Sequence, residues 1–324
     1  MLHKIRSNYI LRHISSYLNP KIYLLLYKYN KKLKKKLELT KKDFKAYNQI
    51  EIEIIPTELI KDKKNTIINY FVEEKEYYHL FIDDKELKRR NYFKRKENVK
   101  KIKVLIDMEI KSLMRLFLGC KYIKEINFVK FNRNNIENMN YLFCDCSNLI
   151  NINLSKFKTG NVIRMNHMFA CCSKLTQLNV SSFDTSNVET MESMFWGSYS
   201  LKHLDLSNFN TSKVTNMTQM FCSCQQLETL NISNFNTSKV NEMCYMFYYC
   251  DALTSIDVSS FNTGHVYTML HMFSHCYCLK DIDVSNFYID ANTDIKYMFS
   301  QCPFELREKI QRQNKKIKAE AFRN

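Results

Sequence analysis

Glycine and proline are scarce in this chain, with four Gly and three Pro in 324 residues. Little of it can therefore be flexible linker, and regular structure must carry most of its length. No apolar run approaches the 18 or more residues of a membrane span. The basic residues near the N-terminus are followed only by apolar stretches broken at Arg12, His13, Asn19, Pro20 and Lys21, too short for a secretion-signal core. These absences lead to an expected cytoplasmic location, with the cell surface as the alternative. Also missing are a Gly-rich phosphate loop, an H-E-x-x-H pair and a nucleophile elbow, and the eight histidines fall at unrelated positions. The expectation is a protein that is not an enzyme, has no cofactor, metal or small-molecule substrate, and works by binding.

What is present is a phenylalanine at a fixed interval. Phe117, Phe143, Phe169, Phe195, Phe221, Phe247, Phe273 and Phe299 recur without insertion or deletion. A second series, Phe131, Phe157, Phe183, Phe209, Phe235, Phe261 and Phe287, runs in step with the first. Residues 194–221 display the unit: Met194-Phe195, Ser198, Leu201, Leu204, Leu206, Ser207, Phe209, Thr211, Val214, Met217 and Met220-Phe221. A period of this length marks stacked repeats, because one unit cannot bury its own apolar side. Val188, Met191, Met194, Phe195 and Ser198 stand at steps of three and four, which predicts a short helix. Thr185 and Ser186 would cap it, and Ser186 with Glu189 has capping-box spacing. Leu204 and Leu206 stand two apart, which predicts a strand.

The Leu-x-x-Leu-x-Leu core, followed by Ser-x-Phe-x-Thr-x-x-Val-x-x-Met-x-x-Met-Phe-x-x-Cys, resembles the BspA-like leucine-rich repeats of bacterial surface proteins and their protist relatives. That resemblance implies an α/β repeat: a right-handed leucine-rich-repeat solenoid with a parallel β-sheet on its inner face. It implies a surface for binding macromolecules and no catalytic residue. Because the bacterial members are exported, it also carries the reading of a surface-exposed adhesin.

All 12 cysteines lie between Cys120 and Cys302. Seven of them, Cys120, Cys146, Cys172, Cys224, Cys250, Cys276 and Cys302, follow the repeating Phe by three residues, and Ser198 takes the place in the remaining unit. A small, weakly polar core residue explains both the cysteines and the serine. A reducing cytosol disfavours stacked disulfides. Cys144 with Cys146, Cys222 with Cys224, and the group His271, His275, Cys276 and Cys278 lack the C-x-x-C spacing of most structural zinc sites.

Four segments follow from the chain order. Residues 1–49 carry helical apolar spacing at Ile10, Leu11, Ile14, Tyr17 and Leu18, then at Ile22, Leu25, Leu26, Tyr29, Leu33 and Leu37, then around Phe44 and Tyr47. Three small helices ahead of leucine-rich repeats resemble an F-box module, a substrate receptor of ubiquitin ligases, although its Leu-Pro opening is absent here. Residues 50–110 form a β-rich capping region. Its candidate strands lie at Ile50, Ile52 and Ile54, at residues 66–72 and 77–82, and at Ile102, Val104 and Ile106. The last is expected to be the strand of a degenerate first repeat, and residues 61–64 and 85–96 are expected to be charged loops. Together residues 1–110 predict a small α+β N-terminal domain. Residues 111–302 hold eight repeats, and residues 303–324 form a basic tail, helical or frayed.

Charge separates the same segments. Of the net +16, residues 1–110 hold 27 Lys and Arg against 15 Asp and Glu, residues 111–302 hold 15 against 15, and residues 303–324 hold 7 against 3. Attraction to nucleic acid or an anionic membrane therefore belongs to the ends, above all to Lys31, Lys32, Lys34, Lys35 and Lys36. The neutral repeats suit a protein partner. On the strand face opposite the buried leucines, one ladder reads Asn127, Asn153, Asn179, Asp205, Asn231, Asp257 and Asp283. The ladder two residues earlier reads Glu125, Asn151, Gln177, His203, Thr229, Ser255 and Asp281. These positions are the expected contact surface, acidic toward its end and suited to a polar or basic protein. The competing reading is that Asn and Asp here only tie the backbone.

Overall fold

The computed structural model describes residues 31, 35, 48–58, 64–88 and 90–323. The helices and F-box resemblance expected within residues 1–47 lie outside the described residues, as does the basic run at residues 31–36 except for Lys31 and Lys35.

Alternation drives the first strands. In β1 (Ile50–Pro56), Ile50, Ile52 and Ile54 are buried, while Glu51 and Glu53 stay partly in solvent. There follow β2 (Lys64–Thr66), β3 (Tyr78–Ile82), β4 (Lys85–Glu86), β5 (Tyr92–Lys94), β6 (Ile102–Ile106), β7 (Ile123–Phe131) and β8 (Asn151–Asn153). Six of these make one sheet in the order β4-β3-β6-β1-β7-β8, antiparallel throughout except between β7 and β8. β2 pairs with β5, and farther along β9 (His203–Asp205) pairs in parallel with β10 (Thr229–Asn231).

This arrangement corrects the expected fold class. The large sheet is mixed, and among the described residues the wholly parallel sheet is the two-stranded pair of β9 and β10, so the expected right-handed α/β leucine-rich-repeat solenoid with a parallel inner sheet is not what forms. The residues expected as the strand of a degenerate repeat are β6, which lies between β3 and β1 and is not paired with the first repeat strand. β1 covers β7 instead, in antiparallel register from Ile50↔Phe131 to Pro56↔Ile123. Residues 85–96 are not simply a loop, since they contribute β4 and β5. Residues 61–63 lie outside the described residues, and Lys64 opens β2.

The predicted short helices are also absent, because residues 111–302 contain no helix. The reason is visible in where the N–H groups go. Those of Met191, Ser193, Phe195 and Gly197 reach the carbonyls of Asn216, Thr218, Met220 and Cys222 in the next unit, at 2.8–3.3 Å. The intervening Met194, Trp196 and Ser198 bond three residues back, to Met191, Ser193 and Phe195. An α-helix needs every N–H directed four residues back and every residue right-handed. Here Ser193 has φ 53° and Gly197 φ 67°. At Gly197 a Cβ would also come within 3.3 Å of Cys171 Sγ. Steps of three and four thus arise from two consecutive tight turns, which still turn Met191, Met194, Phe195 and Ser198 inward, all but fully buried. The expected capping box does not form. Ser186 N–H donates to Asp184 Oδ1 at 3.0 Å, and the Thr185 hydroxyl donates to Asn210 O in the following unit at 3.0 Å.

Stacking of like on like holds successive units together. The repeating phenylalanines lie ring on ring from Phe117 to Phe299, with centroids 5.1–5.9 Å apart. Beside them a buried hydrogen-bond series explains the cysteines. Sγ of Cys146, Cys172, Cys224, Cys250, Cys276 and Cys302 donates to the carbonyl of the repeating Phe one unit back at 3.1–3.3 Å, and Ser198 Oγ does the same to Phe169 O at 2.9 Å. All 12 cysteines are free. Among the described residues no group of three or more His, Cys, Asp or Glu could hold a metal ion.

Both ends are closed. At the first unit the Tyr122 hydroxyl donates to Ile67 O at 2.6 Å, and Asn69 Nδ2 donates to Leu118 O at 3.0 Å. At the last, α1 (Phe304–Gln313) buries Leu306 and Ile310, and Asn314 Nδ2 donates to Phe287 O at 2.9 Å. Tyr297 N–H and Phe299 N–H find Glu320 O and Ala321 O, so the tail receives the bonds another unit would have received.

Two outcomes follow. The Thr211 hydroxyl, on a fully buried side chain, donates to Asn236 O at 2.9 Å and accepts from Asn236 N–H at 2.7 Å. Thr211→Val should cost about 1–3 kcal/mol by stranding both backbone groups, measured by denaturant unfolding. Burial pushes the thiols of Cys172 and Cys250 well above their usual pKa. A thiol reagent at neutral pH should therefore modify exposed Cys278 at once, and those two only as the protein unfolds; fast labelling of Cys172 in the folded protein would contradict the packing.

Candidate functional site

The ladder of polar positions does share one face. Asn153, Asn179, Asp205, Asn231, Asp257 and Asp283 are exposed, as are Asn151, Gln177, His203, Thr229, Ser255 and Asp281; Asn127 and Glu125 are half-buried. Parallel bridges connect parts of it, at Glu125↔Asn151, Gln177↔His203, His203↔Thr229 and Ser255↔Asp281. The alternation responsible is short: in β9, Leu204 points inward between exposed His203 and Asp205.

Each Asn or Asp of the ladder from Asn153 onward also ties its own backbone. Its Oδ1 accepts the N–H two residues on, from Ser155, Ser181, Ser207, Ser233, Ser259 and Ser285, at 2.9–3.4 Å. These serines hold three carboxylates below their ordinary range, chiefly through the backbone N–H at Asp205 and Asp283 and through the hydroxyl at Asp257. The structural role is therefore real. It occupies one acceptor direction per side chain and leaves the others toward solvent.

The two ends of the ladder differ. At the C-terminal end, Asp281 is already paired with Lys309 of α1 at 2.5 Å. At the other end the ladder meets β1 and forms a groove of about 470 Å³. Asn127, Asn151, Asn153, Gln177 and Asn179 line it together with Glu53, Ile55 and Glu125. Ile55 is 39% exposed, an apolar contact beside a row of amides. Glu53 is held by Lys101, and Glu125 lies 3.7 Å from Lys124. The sequence pattern indicated the amides but not Glu53 or Ile55. Those two sit on a strand outside the repeat, and only the pairing of β1 with β7 brings them there.

A second polar ladder gave no signal because its residues vary in kind. Ser112, Asn138, Arg164, Thr190, Asn216, Glu242, Thr268 and Asp294 are joined by parallel bridges, each to the next. Asn216 Nδ2 donates to Glu242 Oε2 of the next unit at 3.4 Å, and other side chains bond groups beside the ladder: the Thr190 hydroxyl donates to Asn166 Oδ1 at 2.8 Å, and Asn216 Oδ1 accepts from Thr218 N–H at 2.7 Å.

Chemically, the first ladder and its groove offer amide donors and acceptors, a few carboxylates and one exposed isoleucine, the means for holding a polypeptide surface. No helix among the described residues is long and apolar enough to cross a membrane. No curated protein and no solved structure matches the chain. Residues 111–228 and 199–312 each match a family described as Mycoplasma protein of unknown function, DUF285. Those stretches overlap and together span more than half of the sequence, from the first unit through α1: the chain belongs to the DUF285 family.

Proposed function

We propose that this chain is a non-enzymatic interaction or scaffold protein that holds a partner protein on the polar ladder, with the groove between β1 and the ladder as the anchor point. The groove carries the proposal. It gathers ladder amides from three successive units, and it sets an exposed isoleucine beside them. The ladder's remaining acceptors extend the contact along the stack. The resemblance of the repeats to BspA-like repeats supports the same reading, since those repeats present surfaces to macromolecules, and it favours display at the cell surface over the cytoplasm. The F-box-like receptor reading and contact with RNA or anionic membrane rest on residues 1–49, and neither gains support from the neutral repeats.

Affinity capture of the full-length protein from its native cell, followed by quantitative mass spectrometry, tests the proposal. Asn151→Lys with Gln177→Lys, at two exposed groove residues outside the set that ties its own backbone, should lower recovery of the principal partner by roughly tenfold or more, equivalent to at least about 1.4 kcal/mol, with an unchanged thermal midpoint. Replacing lysines 31, 32, 34, 35 and 36 by Gln should leave recovery intact. The reverse pattern would place binding in the N-terminal segment and defeat the ladder proposal. Protease shaving of intact cells, with removal or survival of the protein, decides between surface and cytoplasm.

A further inference from the structure

Every unit needs left-handed residues two before and two after its repeating Phe. Gly adopts that conformation most cheaply, Asn, Asp and His are the commonest other residues there, and tyrosine adopts it rarely. Gly119, Asp145 and Gly197 conform to this preference. Other residues stand there in most units, Arg115, Tyr141 and His167 among them, and the last three units carry rings at five of their six such positions: Tyr245, Tyr249, His271, His275 and Tyr297, all with φ between 54° and 61°. Rings that take up an unfavourable backbone position over successive units point to a use for the rings themselves.

Their arrangement is ordered. Tyr245, His271 and Tyr297 form one column with centroids 5.0 and 4.9 Å apart, and Tyr249 and His275 form a second at 4.3 Å. Tyr248 stands nearly perpendicular to members of both columns, 4.6 Å from Tyr249 and 5.3 Å from Tyr245. The hydroxyl of Tyr277, a residue 48% exposed, lies 2.6 Å from His275 Nδ1. Stacking along the chain does not require this cluster, because the buried phenylalanines already run unbroken beside it.

The charged side chains acting on Tyr245, His271, His275 and Tyr277 are the carboxylates of Asp251 and Asp294. Burial lowers the pKa of both imidazoles, so at neutral pH they add no positive charge. Asp251 Oδ1 is shielded from solvent and has no hydrogen-bond partner. A carboxylate oxygen in that state lacks a donor it could bind strongly.

We propose that this aromatic patch docks an arginine-bearing basic segment of a partner protein, with guanidinium groups lying against the tyrosine rings and drawn by the carboxylates of Asp251 and Asp294. Guanidinium fits better than ammonium because it is planar, stacks on aromatic rings and carries several donors in a fixed fork. The chain's net charge of +16 opposes general attraction of a basic peptide, so capture of one has to come from local contacts. The patch is distinct from the polar ladder and adds a second contact surface.

Fluorescence anisotropy of a labelled octa-arginine peptide with the full-length protein, at physiological salt, tests this. Saturable binding is expected, tighter than that of octa-lysine. It should weaken by roughly tenfold or more, about 1.4 kcal/mol, in both Tyr277→Ala and Asp251→Asn, with unchanged thermal midpoints. Asp257→Asn combined with Asp283→Asn should leave it as it was. Absence of saturable binding, equal affinity for octa-lysine, or loss only in the ladder variant would overturn the assignment.

Discussion

The structure depends on one constraint, the sharing of backbone N–H groups between a unit and its neighbour. Within each turn region alternate N–H groups close the local turn, and the others cross to the next unit. A buried backbone group without a partner is expensive, so no unit can shift by even one residue without stranding a whole series of bonds. The uninterrupted 26-residue spacing of the phenylalanines is that requirement written in the sequence. The phenylalanine rings and the Sγ–H donors obey the same register, and each placement supports the others.

Seen this way, the repeating cysteine is a hydrogen-bond donor of a particular size. It must fit under the turn and reach the Phe carbonyl one unit back. Serine at position 198 meets the donor requirement with a shorter bond, 2.9 Å against 3.1–3.3 Å for sulfur. The buried threonines do a comparable task at another corner: Thr159, Thr185, Thr211, Thr237 and Thr263 each donate to a carbonyl in the following unit. Polar residues that look incidental to an apolar repeat thus satisfy the carbonyls and amides that tight corners leave over.

Much of this was readable in the sequence, and the failures have a shared cause. The period, the buried set and the exposed ladder follow from spacing, because spacing decides which side chains face inward. Backbone conformation does not follow so directly. Steps of three and four at Val188, Met191, Met194, Phe195 and Ser198 fit a helix and fit two left-handed turns equally well, and Ser193 at φ 53° gives no warning in its identity. The mixed sheet was out of reach for another reason. β1 reads as an alternating strand, but its antiparallel place against β7 depends on partners some 70 residues away. The groove inherits this limit, since its amides belong to the repeat and Ile55 and Glu53 do not.

The closed ends have a consequence for how long such a molecule can be. Each interior unit presents its neighbour with the same bonds it receives, so inserting or removing a whole 26-residue block leaves every interior junction intact, whereas any other length breaks the register. β1 at one end and α1 at the other then act like bookends that move apart or together without being rebuilt. Reach becomes a quantity adjustable in steps of about 5 Å, the usual strand separation. Gain or loss of a whole block would change the span of the ladder while keeping both bookends, making this a fold whose length can be edited by counting.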